Sequence, residues 1–440
     1  MSPLLPRLLR GLGADGASIG LPAHLDLWGP LPDTRRGGLV DDVADAGLRG
    51  HGGAWFPAAT KWRAVAGAGG RPVVVANGAE GEPASAKDAL LLERLPHLVL
   101  DGAVAAARAL RAEHVIVFAP ARRRPRLIEA IEARRRSAAD GVSIELAVAP
   151  DRFVAGQETA VVSYLNGRSG LPTFARFHPV WRSGVGGAPT LLHNAETLAH
   201  VALIARFGSE WYRQAGRPDA PGTVLLTVTG VDGAPSVVET QKGALLGAVV
   251  GGIDRQRCRA VLLGGYGGTW VDPDTASRLP VTEEAARAVG ATFGAGIVAM
   301  LPHDRCPLAE TARIARYLDQ EKADQCGPCV RGLSGMVAEL DGLAFGARRA
   351  GDAARRLGQL CDLVEGRGAC RHPDGAARLV RSALRIFADE VLQHQQRGPC
   401  PESRAPGWLP TGDEAPRHVR SGNGAIRPGA TGALTSRSRK

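Results

Sequence analysis

The chain has 440 residues, 57 of them glycine, and a formal net charge of +10. The glycines show no three-residue period, which excludes collagen, and the hydrophobic fraction of 44% predicts that most of the chain folds. Because 49 of the 54 basic residues are arginine and the last 40 residues alone carry a charge of +4, we expect no nucleic-acid partner.

Apolar runs and cysteines bear on the cellular compartment. No apolar run reaches the roughly 18–20 residues that a membrane span requires, and the start of the chain has no signal-peptide core. The seven cysteines are an odd number clustered toward the C-terminus, which is typical of a reduced cytosolic protein. We therefore expect a cytoplasmic protein with no direct membrane span, associated with a membrane, if at all, through partner subunits.

Strands and helices are predicted to alternate in the first half of the chain. The predicted strands lie at 73–77, 114–120 and 142–150. The predicted helices lie at 89–110 with a break at Pro96, at 124–137, after 156–165 and at 189–208. This alternation indicates an α/β domain with a largely parallel sheet.

Changes in composition divide the chain into five segments. They are an N-terminal lead-in at 1–40, the α/β domain at 41–221, a small α+β domain at 222–280, a connecting segment and helical domain at 281–396, and a tail at 397–440. The tail is rich in proline and glycine and poor in apolar residues, so it is predicted to be disordered.

A glycine cluster follows the lead-in. Its members are Gly47, Gly50, Gly52 and Gly53, with Lys61 nearby. Glycines let a backbone approach a flat ring or a phosphate and direct its N–H groups at an anion. The alternative is a glycine-rich turn without a ligand, and the spacing differs from the usual dinucleotide fingerprint.

Polar residues come directly after the first predicted strand. Asn77, Glu80 and Glu82 follow the buried run 73–77. Because ligands of parallel sheets bind at the carboxyl ends of strands, these side chains are candidates for contact with hydroxyl groups of a ligand. A solvated acidic loop is the alternative.

Two further motifs lie at predicted helix starts. The first has Gly156 and Glu158, and the second has His193, Asn194 and Thr197. An acid in a first turn favours the helix dipole, and each polar residue of the second motif is able to cap its helix. These structural roles are alternatives to ligand binding.

A pair of cysteines, Cys326 and Cys329, lies in the helical segment, with Cys370 further along. Such a pair in a reduced compartment indicates metal ligands or a redox dithiol. An iron–sulfur cluster takes four thiolates, whereas zinc would accept three cysteines and His372. The spacing favours a cluster over a dithiol, because no thioredoxin-like pattern surrounds the pair.

The order of these motifs resembles the flavin- and NADH-binding subunit of NADH:quinone oxidoreductase, the F or 51 kDa-type subunit of respiratory complex I. The same family includes flavoprotein subunits of NAD-linked hydrogenases and formate dehydrogenases. The resemblance covers about 40–396. It implies a Rossmann-like FMN-binding domain, a small ubiquitin-like (SLBB) domain at 222–280, and a C-terminal helical bundle with an iron–sulfur site.

The resemblance also implies roles for individual residues. The residues that match FMN contacts are Gly50, Gly52, Gly53, Lys61, Asn77, Glu80, Gly156, His193, Asn194 and Thr197. Phe56 matches the aromatic residue that stacks on the nucleotide. Glu82 and Glu158 match catalytic acids of the shared flavin and nucleotide pocket. Cys326, Cys329 and Cys370 match ligands of a [4Fe–4S] cluster.

The function that the resemblance implies is a soluble NADH dehydrogenase flavoprotein subunit. It would oxidise NADH through FMN and pass electrons singly to the cluster. A ferredoxin-like or thioredoxin-like iron–sulfur subunit, or a quinone reductase, would then receive them.

The chain departs from the family's motifs at several positions. Ala79 stands where the family has Asp, Gln157 where it has Glu, His193 where it has Asn, and Trp55 where it has Gly. In the alignment that the distance to Cys370 favours, Ala323 replaces the first cluster cysteine, and in the alternative alignment Gly332 replaces the third. In either case Cys361, Asp324 or Cys306 would supply a fourth ligand, or none does. The alternatives are a paralogue that binds a ligand or partner through the SLBB domain without redox activity, and a flavoprotein with a different electron donor.

Overall fold

The computed structural model describes residues 5–12, 17–138, 140–174, 179–346, 351–411 and 420–421. In this described part, three α-helices precede the first sheet: α1 (Leu21–Trp28), α2 (Leu39–Asp45) and α3 (Ala58–Ala66). Within these described ranges, no helix is both long and apolar enough to cross a membrane.

A parallel sheet of four strands forms the first unit in the described part of the chain. Its strands are β1 (Val73–Asn77), β2 (His114–Pro120), β3 (Ser143–Ala149) and β4 (Thr190–Asn194), in the order β3-β2-β1-β4. The accompanying helices are α4 (Lys87–Arg94), α5 (Pro96–Leu110), α6 (Arg124–Ser137), α7 (Glu158–Leu165) and α8 (Ala195–Arg213). The predicted α/β domain with a parallel sheet is confirmed.

The prediction of one helix over 189–208 is wrong for its first part. Residues 190–194 form β4, which pairs in parallel with β1, and α8 begins only at Ala195. Every residue of β4 is buried, so the strand has no polar face to give an alternating pattern. A short apolar run of this kind cannot be distinguished from a buried helix by periodicity alone.

A second unit follows, built on a mixed sheet. A short hairpin of β5 (Gly216–Arg217) and β6 (Ala220–Pro221) leads into it. The sheet strands are β7 (Thr223–Thr229), β8 (Pro235–Gln241), β9 (Ala260–Leu263), β10 (Thr269–Val271), β11 (Ile297–Leu301) and β12 (Arg420–Ser421). The short helices are α9 (Leu246–Val249), α10 (Pro273–Ser277) and α11 (Glu283–Ala288).

The predicted boundary at residue 280 falls inside this second unit. Strand β11 lies between β7 and β9, so the sheet is interrupted without it. Val281 and Phe293 share one buried core with Leu226. The unit therefore extends to Leu301, because its central strand comes last before the helices that follow.

Helices make up most of the remaining described chain. They are α12 (Pro307–Gln320), α13 (Ser334–Phe345), α14 (Ala353–Val364), α15 (His372–Ile386) and α16 (Ala388–Arg397). Between α12 and α13, residues Pro328–Leu333 form a wide π-type turn that carries Cys329. Leu308, Leu340 and Leu379 belong to the buried core that these helices share.

The prediction of disorder from residue 397 is wrong for residues 398–411. The amides of Trp408 and Leu409 donate to the buried carboxylate of Glu310, the latter across 2.7 Å. The Arg313 guanidinium donates to the carbonyl oxygen of Ala405 across 2.6 Å. Residues 412–419 and 422–440 of the predicted tail lie outside the described residues.

Candidate functional site

A cleft of about 960 Å³ opens at the carboxyl ends of β1 and β4. Twelve of the thirteen predicted flavin-contact, stacking and catalytic residues line it: Gly50, Gly52, Gly53, Phe56, Lys61, Asn77, Glu82, Gly156, Glu158, His193, Asn194 and Thr197. The register explains this convergence, because Asn77 and Asn194 are paired at the ends of adjacent parallel strands.

Glu80 is the predicted residue that does not line the cleft. Its carboxylate accepts hydrogen bonds from the amides of Asp88 at 3.1 Å and Ala89 at 2.8 Å, and from the Ser85 hydroxyl. These amides belong to the first turn of α4, where backbone N–H groups have no partner within the helix. The Glu80 carboxylate therefore serves as a hydrogen-bond acceptor for the free amides at the start of α4.

The glycine loop presents Phe56 to the cleft and turns Trp55 away from solvent. Gly53 has a φ of +109°, a backbone conformation that residues with a side chain rarely adopt. Trp55 is only 3% exposed and donates its indole N–H to the Gly294 carbonyl at 3.1 Å, whereas Phe56 is 44% exposed. Trp55 itself has a φ of +51°, so its buried indole holds a left-handed backbone in place.

The loop that follows β1 is in close contact with the loop that precedes α7. The Asn77 amide donates to the Gly156 carbonyl across 2.8 Å. A Cβ at Gly156 would lie 2.3 Å from the Ala79 carbonyl oxygen, so the backbone of this loop can approach only as glycine. Gln157 then caps α7 by accepting from the amides of Thr159 and Ala160. The neutral side chain at this position therefore serves the helix start.

An ion pair lies at the wall of the cleft. Lys61 Nζ on α3 is 2.7 Å from Glu158 Oε1 on α7, and both side chains are partly exposed to the cleft. The pair places one positive and one negative group beside each other, where an anionic ligand would meet the lysine.

His193 is a buried neutral histidine with an assignable proton. Its Nε2 lies 2.9 Å from the indole Nε1 of Trp62, which can only donate a hydrogen bond. Nε2 is therefore the acceptor, and the proton of the neutral ring is on Nδ1. Burial, and then the charge of Lys61, lowers the pKa of His193 to about 3. The ring consequently offers the cleft a hydrogen-bond donor without a charge.

Glu82 is a partly buried residue at the boundary with the second unit, and one of its carboxyl oxygens is fully buried. Its Oε2 accepts from the Tyr266 amide at 3.1 Å, and its Oε1 is buried without a hydrogen-bond partner. Burial raises the pKa of Glu82 to about 8, and the neighbouring Glu80 adds to the increase. The group is therefore mainly protonated at neutral pH and can hold or release a proton within the cleft.

A buried ionic network below the glycine loop was missed by the sequence reasoning. Glu196 Oε2 lies 2.8 Å from Lys87 Nζ, and its Oε1 lies 3.0 Å from His51 Nδ1. Glu196 Oε1 also accepts from the Leu225 amide, which connects the network to β7. The signal in the sequence was a charged residue in the first turn of each of two apolar helices, at Lys87 and Glu196.

The three predicted cluster cysteines lie around the π-type turn and the start of α15. Burial first, and then the adjacent Cys326 and the more distant Cys370, raises the pKa of Cys329 to about 12. Cys370 also lines the cleft, so one of the three cysteines lies at the wall of the predicted flavin pocket. In the described residues these thiols do not form a compact group of the kind that holds a single ion.

The alternatives for a fourth ligand differ in their surroundings. The Cys361 thiol is buried and donates to the Ala377 carbonyl oxygen. Cys306 belongs to a different group of side chains, with His394. Asp324 is largely exposed, and its carboxylate lies 3.8 Å from Lys322 Nζ.

Comparison with known proteins agrees with this architecture. Residues 43–203 match the family model described as the Nuo51 FMN-binding domain, and residues 309–394 match the NADH-ubiquinone oxidoreductase-F iron–sulfur binding region. The F-type subunit of the NADH-quinone oxidoreductase of Mycobacterium tuberculosis H37Rv is 30% identical over 82% of this chain and 86% of the relative. That of Escherichia coli K12 is 30% identical over 84% of this chain and 86% of the relative.

A solved structure, the NAD⁺-reducing [NiFe]-hydrogenase in the H₂-reduced state, superposes with a TM-score of 0.76 at 28% identity. The match covers 89% of this chain and 71% of that chain. Two matched domain models, relatives covered over most of their length and a shared fold all indicate one family. The chain belongs to the family of F-type NADH-quinone oxidoreductase subunits.

Proposed function

We propose that this chain oxidises NADH through bound FMN and passes the electrons singly to a [4Fe–4S] cluster. The observation that carries the proposal is the shared cleft. Twelve residues that the family resemblance assigns to flavin and nucleotide line it, and Cys370 lines the same cleft. A donor site and the first one-electron acceptor are therefore adjacent, as electron transfer requires.

The residues present fit FMN. The cleft volume of about 960 Å³ is at the upper end of the ~300–1,000 Å³ typical of ligand sites, which leaves room for a nucleotide beside a flavin. Gly53 provides a left-handed turn with open space where a side chain would stand. The orphaned Oε1 of Glu82 is a buried polar atom that a ligand's N–H or O–H group would satisfy.

The chain's own groups would bind and orient the two ring systems. Lys61 offers a positive charge to an anionic group, and Phe56 offers an exposed aromatic face for stacking. His193 donates from Nδ1 without adding charge, and Glu82 holds a proton at its carboxyl group. The chemistry that FMN would supply when bound is to accept a hydride and to release the two electrons one at a time.

The cysteines of the helical segment supply most, but not all, of the ligands that a [4Fe–4S] cluster requires. Cys326, Cys329 and Cys370 supply three of the four ligands that a [4Fe–4S] cluster takes. Asp324 lies two residues before Cys326 and is exposed, so it is the fourth ligand we favour over Cys361 and Cys306. We further propose that the helical segment is the family's iron–sulfur bundle and that residues 222–301 are an SLBB domain.

The partner and the compartment follow from the same proposal. We place the protein in the cytoplasm, where a ferredoxin-like or thioredoxin-like iron–sulfur subunit, or a quinone reductase, would accept the electrons. A paralogue without redox activity, and a flavoprotein with another donor, are the competing functions.

Anaerobic purification, FMN reconstitution and an NADH titration followed by absorbance test the proposal. We expect NADH to bleach the flavin band, and iron near the roughly four atoms per chain of a complete cluster. The C370S variant should lose iron and keep the bleaching, and the C258S variant, whose cysteine is buried in the second unit, should keep both. Bleaching by NADPH alone would indicate another donor, and no bleaching by either nucleotide would contradict the dehydrogenase function.

A further inference from the structure

A second group of ligand-type side chains lies apart from the cluster cysteines. Cys306 precedes α12, His394 lies in the last turn of α16, and Cys400 follows in the next loop. The Cys306 Sγ is 3.9 Å from His394 Nε2, and the ligand atoms of all three residues lie within 4.8 Å of one another. Cys306 and His394 are buried, whereas Cys400 is partly exposed.

The imidazole of His394 is oriented for coordination. Its Nδ1 lies 3.1 Å from the Leu343 carbonyl oxygen, an acceptor, so Nδ1 carries the proton. The lone pair of Nε2 then points toward the thiols and accepts the Cys400 amide N–H at 3.1 Å. Histidine ligands of metals generally donate their second ring N–H to a carbonyl or carboxylate in this way.

Local hydrogen bonds do not account for the whole group. Cys306 Sγ accepts from the Ala309 amide at 3.4 Å, which is sufficient to cap α12. The capping role requires one sulfur, and the amide bond to His394 requires only the backbone of Cys400. The Cys400 thiol has a further partner in Ser403 Oγ at 3.5 Å, but none of these contacts requires the thiol to face the same point as Cys306 and His394.

We propose that Cys306, His394 and Cys400 bind one Zn²⁺ ion. Two thiolates and one imidazole are a common zinc ligand set, with Zn–S near 2.3 Å and Zn–N near 2.0–2.1 Å. Those lengths place tetrahedral ligand atoms about 3.5–3.8 Å apart, so the observed spacing has to contract by about 1 Å or less. Binding releases the two thiol protons to solvent and frees the Cys400 amide, with no change of oxidation state.

The fourth position faces the partly exposed side of the group. Ser403 Oγ lies 3.5 Å from Cys400 Sγ, and Cys400 is partly exposed on this side. The ion would join the loop after α16 to the start of α12, beside the bonds that Glu310 makes to Trp408 and Leu409. Its role is therefore structural: it fastens residues 398–411 to the helices.

Zinc content of the full chain tests the site. After removal of loosely bound metal, we expect about one zinc per chain in the wild type, and a drop of about tenfold in C306S and C400S. The matched variant C258S should keep its zinc, and C326S should keep zinc while losing iron. Equal zinc content in C400S and the wild type would overturn the proposal.

X-ray absorption at the zinc edge of the wild type keeps the test valid if a variant fails to fold. We expect a shell of two sulfur neighbours and one nitrogen neighbour in the protein ligand set, at the distances given above. A shell of three or four sulfurs would place the zinc at Cys326, Cys329 and Cys370 instead and would refute the assignment.

Discussion

Lys87 Nζ lies 2.8 Å from Glu196 Oε2, with both side chains almost completely buried beneath the glycine loop. Lys87 also donates to the His51 carbonyl oxygen at 3.1 Å, and Glu196 accepts from the Leu225 amide at 2.8 Å. Although burial opposes it, the carboxylates of Asp88 and Glu196 raise the pKa of Lys87, so the ammonium stays charged. One ion pair thus connects the glycine loop, two helix starts and the second sheet.

Breaking this ion pair is expected to lower the free energy of unfolding substantially. K87M leaves the Glu196 carboxylate buried without its cation, and such changes cost about 3–5 kcal/mol of unfolding free energy. The double variant K87M/E196Q should lose less than K87M alone, because the Glu196 carboxylate is no longer left without its cation, whereas Asp88 loses the same cation in both variants. Urea unfolding measures both.

The exposed pair of Arg71 and Glu113, 2.9 Å apart, is the matched control for this prediction. R71M should change the free energy of unfolding by less than about 1 kcal/mol. A K87M loss as small as that of R71M would show that the buried pair is not a structural connection.

Glu82 should make the protein less stable as the pH rises. Its pKa is about 8 in the folded state against 4.5 ordinarily, so the folded state binds the extra proton between these values. Stability contributed by this group is therefore present below about pH 4.5 and falls by about 1.4 kcal/mol per pH unit up to about pH 8. E82Q removes this dependence.

Thermal unfolding of the flavin-free protein at pH 5 and pH 8 checks the Glu82 prediction. The advantage of E82Q over the wild type should be larger at pH 8 than at pH 5. E113Q, which changes an exposed glutamate, should show no such difference. An advantage that is the same at both pH values would mean that Glu82 is already ionised in the fold.

The sequence was sufficient for three of the four strands of the first sheet and for twelve residues that line the cleft. Each of those residues lies next to a strand end, a glycine turn or a helix start, which are features of local pattern. Strand β4 was missed because a strand buried on both faces has no periodicity that separates it from a helix.

Contacts between residues that are distant along the chain could not be predicted from the sequence. Cys306 and Cys400 were visible as cysteines, but 94 positions separate them, and only the packing of the helical unit, in which α16 contacts α13 and α15, brings them together. Glu80 was assigned to the flavin from its motif, although its carboxylate is directed at the start of α4. Side-chain direction after a strand depends on the neighbouring helix, which no spacing specifies.

His193 should make the protein less stable as the pH falls, whereas Glu82 makes it less stable as the pH rises. Its folded pKa of about 3 lies below the ordinary 6.5, so the unfolded chain binds a proton that the fold excludes. The stability that this group contributes is complete above about pH 6.5 and decreases by about 1.4 kcal/mol per pH unit as the pH falls toward 3. H193N, which introduces the family's residue, removes this loss.

Urea unfolding at pH 5 and pH 7.5 tests the His193 prediction. Relative to the wild type, H193N should gain about 2 kcal/mol on going from pH 7.5 to pH 5. A constant difference between the two proteins would mean that the ring is protonated in the fold and that Trp62 does not hold it neutral.

Lys61 should contribute to FMN affinity through its positive charge. It is a cation in the cleft whose charge is shared with a single carboxylate, Glu158, at 2.7 Å. Because the FMN phosphate is anionic, K61M should weaken FMN binding about tenfold or more, and added salt should weaken the wild type more than the variant. E158Q should weaken binding less than K61M, since it leaves the cation in place. Arg63 lies on the same helix but outside the cleft lining and pairs with Asp41 at the surface, so R63M is the control. Quenching of FMN fluorescence gives the affinities, and equal effects of K61M and R63M would exclude Lys61 from the flavin site.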